Sequence, residues 1–181
     1  QAGVSHFLEH LLFKGTERRP DAILIAQEIE GAGGTLNAYT NKEFTCYWNI
    51  VPYDRFETAL DVAADMLLNS KLEQSEIERE CPVVQQELKR NHDNPGAWAG
   101  RLIGTAVYGE QPSGWDVGGP VELIPTWSRP DFIEHIGEWY KRLSQQRDRD
   151  HSADRFRVRG IERRARHPDG IRRGPRRLER L

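Results

Sequence analysis

An α+β domain, with a mixed or antiparallel sheet packed against helices, is the fold class this sequence predicts. Three observations carry it. Apolar residues recur at helical spacing over several stretches, most clearly Tyr53–Asn69, where Phe56, Leu60, Ala63, Ala64, Leu67 and Leu68 mark an apolar face. Two β-leaning stretches, Thr35–Thr40 and Phe44–Val51, are joined through the turn-like Asn41-Lys42. Composition then changes abruptly at Ser144, which limits the folded unit to residues 1–143 and sets residues 144–181 apart.

Taken in order, Val4 to Lys14 is a helix, with Ser5 available as its cap, bulk from Phe7, Leu8, Leu11 and Leu12, and a stop at Gly15. Asp21 to Glu30 is a second, ended by Gly31-Ala32-Gly33-Gly34. In the second strand Phe44, Cys46, Trp48 and Ile50 share one face and Thr45, Tyr47 and Asn49 the other, as a hairpin requires. Glu73–Asn91 is a polar-rich helix interrupted by Pro82, which removes a backbone donor and predicts a kink or a restart near Cys81. Ala97–Tyr108 is helical, Gly109–Pro120 is a loop, and Arg129–Leu143 is a helix begun by Ser-Arg-Pro-Asp.

The net charge of −2 conceals two unlike segments. Residues 1–143 hold 22 acidic and 13 basic side chains, whereas residues 144–181 hold 6 acidic and 13 basic, every one of the latter arginine. An arginine-dense segment with Phe156 as its one aromatic suits either a nucleic-acid-binding arm or a disordered or frame-shifted end, and the break in composition favours the second. No apolar run approaches membrane-spanning length. Cys46 and Cys81 allow one disulfide but nothing requires it, which tilts the compartment toward a reducing one such as the cytoplasm. The chain opens on Gln1 with its main motif at residue 6, so the reading expects an N-terminus already cut.

That motif is His6-Phe7-Leu8-Glu9-His10. Two histidines four residues apart lie on one helical face, so both imidazoles can reach one metal ion. Glu9 leans toward the same side, where a general base for a zinc-bound water belongs. The H-x-x-E-H order is that of inverted zinc-protease motifs. Chance would produce it in about 2% of such sequences, so its company matters. A catalytic zinc takes a third protein ligand, and the later helix offers Glu73, Glu76, Glu78, Glu80 and Glu87. Glu80 and Glu87 are two turns apart on one face with Glu76 nearby, and helical geometry leaves the choice among them open. His92 and His135 lie outside the motif and read as surface residues; Trp115-Asp116 reads as loop punctuation.

Gly3-Val4-Ser5-His6-Phe7-Leu8-Glu9-His10-Leu11-Leu12-Phe13-Lys14-Gly15-Thr16 resembles the signature of the pitrilysin/insulinase metallopeptidases, which include mitochondrial processing peptidases and their bacterial relatives. Gly33–Thr40, Glu43–Tyr47, Ala64–Asn69 and Glu78 through Glu87 are similar to the blocks that follow, in family order, as far as about residue 143. The resemblance implies an incomplete N-terminal half of a pitrilysin-like domain that binds Zn2+ through His6, His10 and Glu87. The last is singled out by the family's 76 intervening residues after the second histidine. It also implies Glu9 as the base, Glu80 as a carboxylate supporting a ligand or the water, and Thr35–Thr40 as an edge strand for an extended peptide. Asn37, Ala38 and Tyr39 would then meet the substrate, with Asn37 close to the scissile bond.

The implied activity is zinc-dependent hydrolysis of extended or unfolded polypeptides. The family closes a second pitrilysin-like half or subunit, carrying an Arg and Tyr pair, over its substrate. Here the arginine-rich segment stands where apolar strands are expected after Leu143. Two rivals remain: a non-catalytic processing-peptidase-like subunit, which the intact motif disfavours, and the nucleic-acid-binding arm.

Overall fold

The computed structural model describes residues 2–140. Residue 1 and residues 141–181, with the whole arginine-rich segment, lie outside the described residues. Six α-helices and one hairpin follow in the order α1 (Val4–Leu12), α2 (Ala22–Glu30), β1 (Thr35–Thr40), β2 (Thr45–Ile50), α3 (Phe56–Asn69), α4 (Gln74–Asp93), α5 (Pro95–Tyr108) and α6 (Arg129–His135). A π-helical turn, Ile136–Tyr140, continues α6. The class is the expected α+β one, helix-rich with a two-stranded antiparallel sheet. In its register Asn37 faces Trp48, Ala38 faces Tyr47 and Tyr39 faces Cys46. No helix among the described residues is long and apolar enough to cross a membrane.

The motif helix is the centre of the larger core. Val4, Phe7, Leu8, Leu11 and Leu12 of α1 are buried with Leu72, Ile77, Val84, Ile124, Phe132 and Ile136. Burial of side chains of this size stabilises by about 1.5–3 kcal/mol each. Because the apolar stripe holds this helix from one side, the histidines and Glu9 emerge toward the hairpin and α4. Gly3, not Ser5, caps α1: its φ of 95° is a left-handed turn, and a Cβ there would lie 2.5 Å from the Gly118 carbonyl oxygen. Ser5 sits within the helix instead, its Oγ 3.0 Å from His135 Nε2. His135 is therefore half-buried against α1 and not the surface residue expected, whereas His92 is exposed and packs at a tilt against Trp98.

A second core joins Ile25 and Ile29 of α2 to Ala59, Val62 and Met66 of α3. This corrects the apolar face expected for α3, since Phe56, Leu60 and Leu68 are about half exposed. The buried stripe includes a carboxylate, Asp65, which no hydrophobic pattern reveals. Asp65 accepts from Thr16 Oγ1 at 2.6 Å, Arg19 Nη1 at 2.7 Å and Asn69 Nδ2 at 2.9 Å. Arg19 also bonds Glu28 on α2 and Asp61 on α3, so one guanidinium ties the segment after α1 to both helices.

Burial opposes ionisation of Asp65, but these donors win and hold its pKa at about 2 instead of the usual 3.8. A carboxyl whose folded pKa is depressed contributes stability that is whole above the unfolded pKa and is lost as pH falls through the folded one. Roughly 2 kcal/mol should therefore disappear between about pH 4 and pH 2. Acid unfolding followed by circular dichroism checks this: Asp65→Asn should be less stable at neutral pH and lack that acid-sensitive increment.

Pro82 neither splits nor restarts α4. Gln74–Asp93 is continuous across it. The carbonyl deprived of a donor belongs to Glu78, and both Glu78 and Pro82 are exposed, so water can serve that group. Cys46 and Cys81 are free thiols.

Candidate metal centre

One face of α1 meets one face of α4. His6 and His10 are a helical turn apart, with ring centroids 4.9 Å apart and edge-to-face. Glu87 lies opposite, its Oε1 3.5 Å from His6 Nε2 and its Oε2 3.3 Å from His10 Nε2. Glu76, the other nearby glutamate, pairs instead with Arg79 on its own helix. Among the described residues His6, His10 and Glu87 form the one group of three or more such side chains whose ligand atoms lie within 4.8 Å of one another.

Two separations in this group are longer than good hydrogen bonds and shorter than unrelated neighbours. With metal–ligand bonds of about 2.0–2.1 Å, the edge of a zinc tetrahedron is about 3.3–3.4 Å. The donor set, two imidazoles and one carboxylate with a fourth place open, also suits zinc. On both counts the residues present fit the ion.

Glu80 lies two turns before Glu87 on the same face of α4. Its Oε1 lies 3.0 Å from His10 Nδ1 and its Oε2 2.6 Å from Lys14 Nζ. An imidazole that donates from Nδ1 to a carboxylate presents the Nε2 lone pair on its far side, toward Glu87. Burial opposes charge on Glu80, yet the bonds from His10 and Lys14 hold its carboxyl below the usual range. The two histidines differ: burial, reinforced by the charge of His10, pushes His6 down, while for His10 the Glu80 bond and the surrounding carboxylates outweigh burial and push it up. His6 Nδ1 is buried without a hydrogen-bond partner among the described residues, against the backbone at Gly118.

Glu9 points away from α4 toward the hairpin. Thr40 Oγ1, at the end of β1, donates to Glu9 Oε2 at 2.5 Å and lies 3.1 Å from Thr45 Oγ1 on β2. Asn37 and Tyr39 lie on the exposed side of β1, with Ala38 half-buried between them, and Asn37 Oδ1 accepts from the Ala38 N–H. Among the described residues β1 pairs with β2 alone, which leaves its other edge without a strand.

Three supporting groups carry little signal along the chain. Lys14 continues the spacing of His6 and His10 by four, Thr40 ends β1 with no local partner for its hydroxyl, and Gly118 lies in a glycine-rich loop.

Residues 1–121 match the family described as Insulinase (Peptidase family M16). The chain is 36% identical over 138 residues to YmxG of Bacillus subtilis, named an uncharacterized zinc protease, covering 76% of this chain and 34% of that one. It is 38% identical over 138 residues to the beta subunit of the mitochondrial-processing peptidase of Dictyostelium discoideum, covering 76% and 29%. A protease from Helicobacter pylori superposes with a TM-score of 0.70 at 25% identity, over 75% of this chain and 32% of that one. The chain thus spans about a third of the length of these relatives. By the family match over residues 1–121, joined to this pitrilysin-like fold, the chain belongs to the insulinase family of peptidases, family M16.

Proposed function

We propose that this chain is the zinc-binding part of an endopeptidase that hydrolyses peptide bonds in extended polypeptides. The observation that carries the reading is the convergence of His6 Nε2, His10 Nε2 and Glu87 across the α1–α4 interface, with Glu9 one residue away from His10. Zinc held by His6, His10 and Glu87 would polarise the scissile carbonyl and make water acidic enough to lose a proton near neutral pH. Glu9 receives that proton: Thr40 holds Oε2, and Oε1 is left to accept. Glu80 keeps the His10 ring oriented.

The substrate adds as a strand to the edge of β1 that faces away from β2, its backbone paired with the stretch Asn37, Ala38 and Tyr39. Strand addition requires an extended segment, so unfolded or loosely folded polypeptides are the substrate class. A second pitrilysin-like half or subunit completes the enclosure around the substrate. Support for a paired arrangement comes from the Dictyostelium relative, which is named as a subunit.

Elemental analysis after dialysis tests the site directly. The wild-type chain should retain about one zinc and His10→Ala should fall to background. Equal zinc in the two would reject the ligand set.

A further inference from the structure

Lys14 lies beyond the end of α1, yet it continues the row that begins with His6 and His10. Positions 6, 10 and 14 are spaced by four, and all three meet the same face of α4. The contacts form a ladder: His6 and His10 reach Glu87, His10 also reaches Glu80, and Glu80 reaches Lys14. Each Glu80 oxygen has a different partner, Oε1 the imidazole and Oε2 the ammonium. The Glu80 side chain is only 8% exposed and that of Lys14 28%, so this pair is well removed from the exposed kind that contributes little.

A carboxylate gripped at one oxygen can still swing about its long side chain; gripped at both, it cannot. Lys14 therefore sets the rotation of Glu80, and Glu80 sets which way the His10 ring turns and which nitrogen faces Glu87. With Lys14 removed, a buried carboxylate would keep a single imidazole N–H, a poor substitute for an ion pair, and would move toward water. His10 would lose its fixed orientation with it.

We infer that Lys14 is a positioning residue of the metal centre, acting through Glu80 on His10. This rests on the zinc-site reading above. Two effects of Lys14 on zinc binding have opposite signs, which makes it testable. As a nearby positive charge, it should weaken binding of a second cation, so its removal would tighten zinc. As the anchor of Glu80, it should strengthen binding, and its removal would weaken zinc. Loss of an outer partner of a metal-ligating histidine costs 10–100-fold in affinity, and Lys14 stands one contact farther out. A roughly ten-fold loss is expected.

The experiment is competition of the full chain with a chelating dye for Zn2+, on wild type, Lys14→Met and Lys14→Arg, with the melting temperature of each metal-free protein recorded. Lys14→Met should bind zinc about ten-fold more weakly, and Lys14→Arg should recover most of the loss because a guanidinium can also grip Oε2. Affinity unchanged or tightened in Lys14→Met overturns the inference while leaving the zinc site standing. So does a fall in Lys14→Met matched by an equal fall in Lys14→Arg. A wild-type chain that binds no zinc overturns both readings together.

Discussion

Arg19→Leu is expected to lower the free energy of unfolding by about 3–5 kcal/mol, the scale for removing one partner of a buried ion pair. The loss concentrates on Asp65, whose side chain is fully buried and would keep only Thr16, Asn69 and an Arg18 contact at 3.4 Å. Glu28 and Asp61 are 40% and 48% exposed and can turn to water, so their bonds to Arg19 contribute less. Urea unfolding of the single variants and of Arg19→Leu/Asp65→Leu measures it. The double variant should recover part of the loss, because it no longer strands a charge. A cost below about 1 kcal/mol in Arg19→Leu would mean that the network does not hold the segment after α1 to α2 and α3.

Glu9→Gln should leave zinc content unchanged and reduce peptide hydrolysis by about 10²–10⁴-fold, the range for loss of a positioned general base. Glutamine keeps the shape of the side chain and can still accept from Thr40, but it cannot take a proton. The measurement is cleavage of an unfolded polypeptide under conditions where the wild type turns over and a chelator stops it. Full activity in the variant would remove Glu9 from the chemistry. A parallel loss of zinc would instead place Glu9 among the groups that hold the ion.

Much of the architecture was legible because its signals are local. The hairpin follows from two β-prone stretches either side of Asn41-Lys42, and α6 from its Ser-Arg-Pro-Asp entry, where the Ser128 N–H donates to Asp131 Oδ2 at 2.8 Å. The α3 surface was misread for an equally physical reason. Its sequence is apolar on more than one side, so periodicity alone selects no face; packing against α2 chose Ala59, Val62 and Met66, and Arg19 made it tolerable to bury Asp65 among them. Pro82 illustrates the converse: the local rule was sound, but its cost depends on whether the freed carbonyl can reach water, and Glu78 is an exposed residue.

What the sequence determined by itself is the pairing of His6 and His10 on one helical face, with the choice among the glutamates of α4 left open. His6 and His10 lie on one turn of a stiff helix that rises about 1.5 Å per residue, so their spacing already implies their convergence. The tertiary structure alone decided how those groups are held. Glu80 reaches His10 across 70 residues of chain, Thr40 reaches Glu9 across 31, and His135 reaches Ser5 across 130. Such pairs depend on how α1 is clamped among α4, α6 and the hairpin. Burial of Phe7, Leu8, Leu11 and Leu12 sets that clamp, and no spacing rule along the chain encodes it.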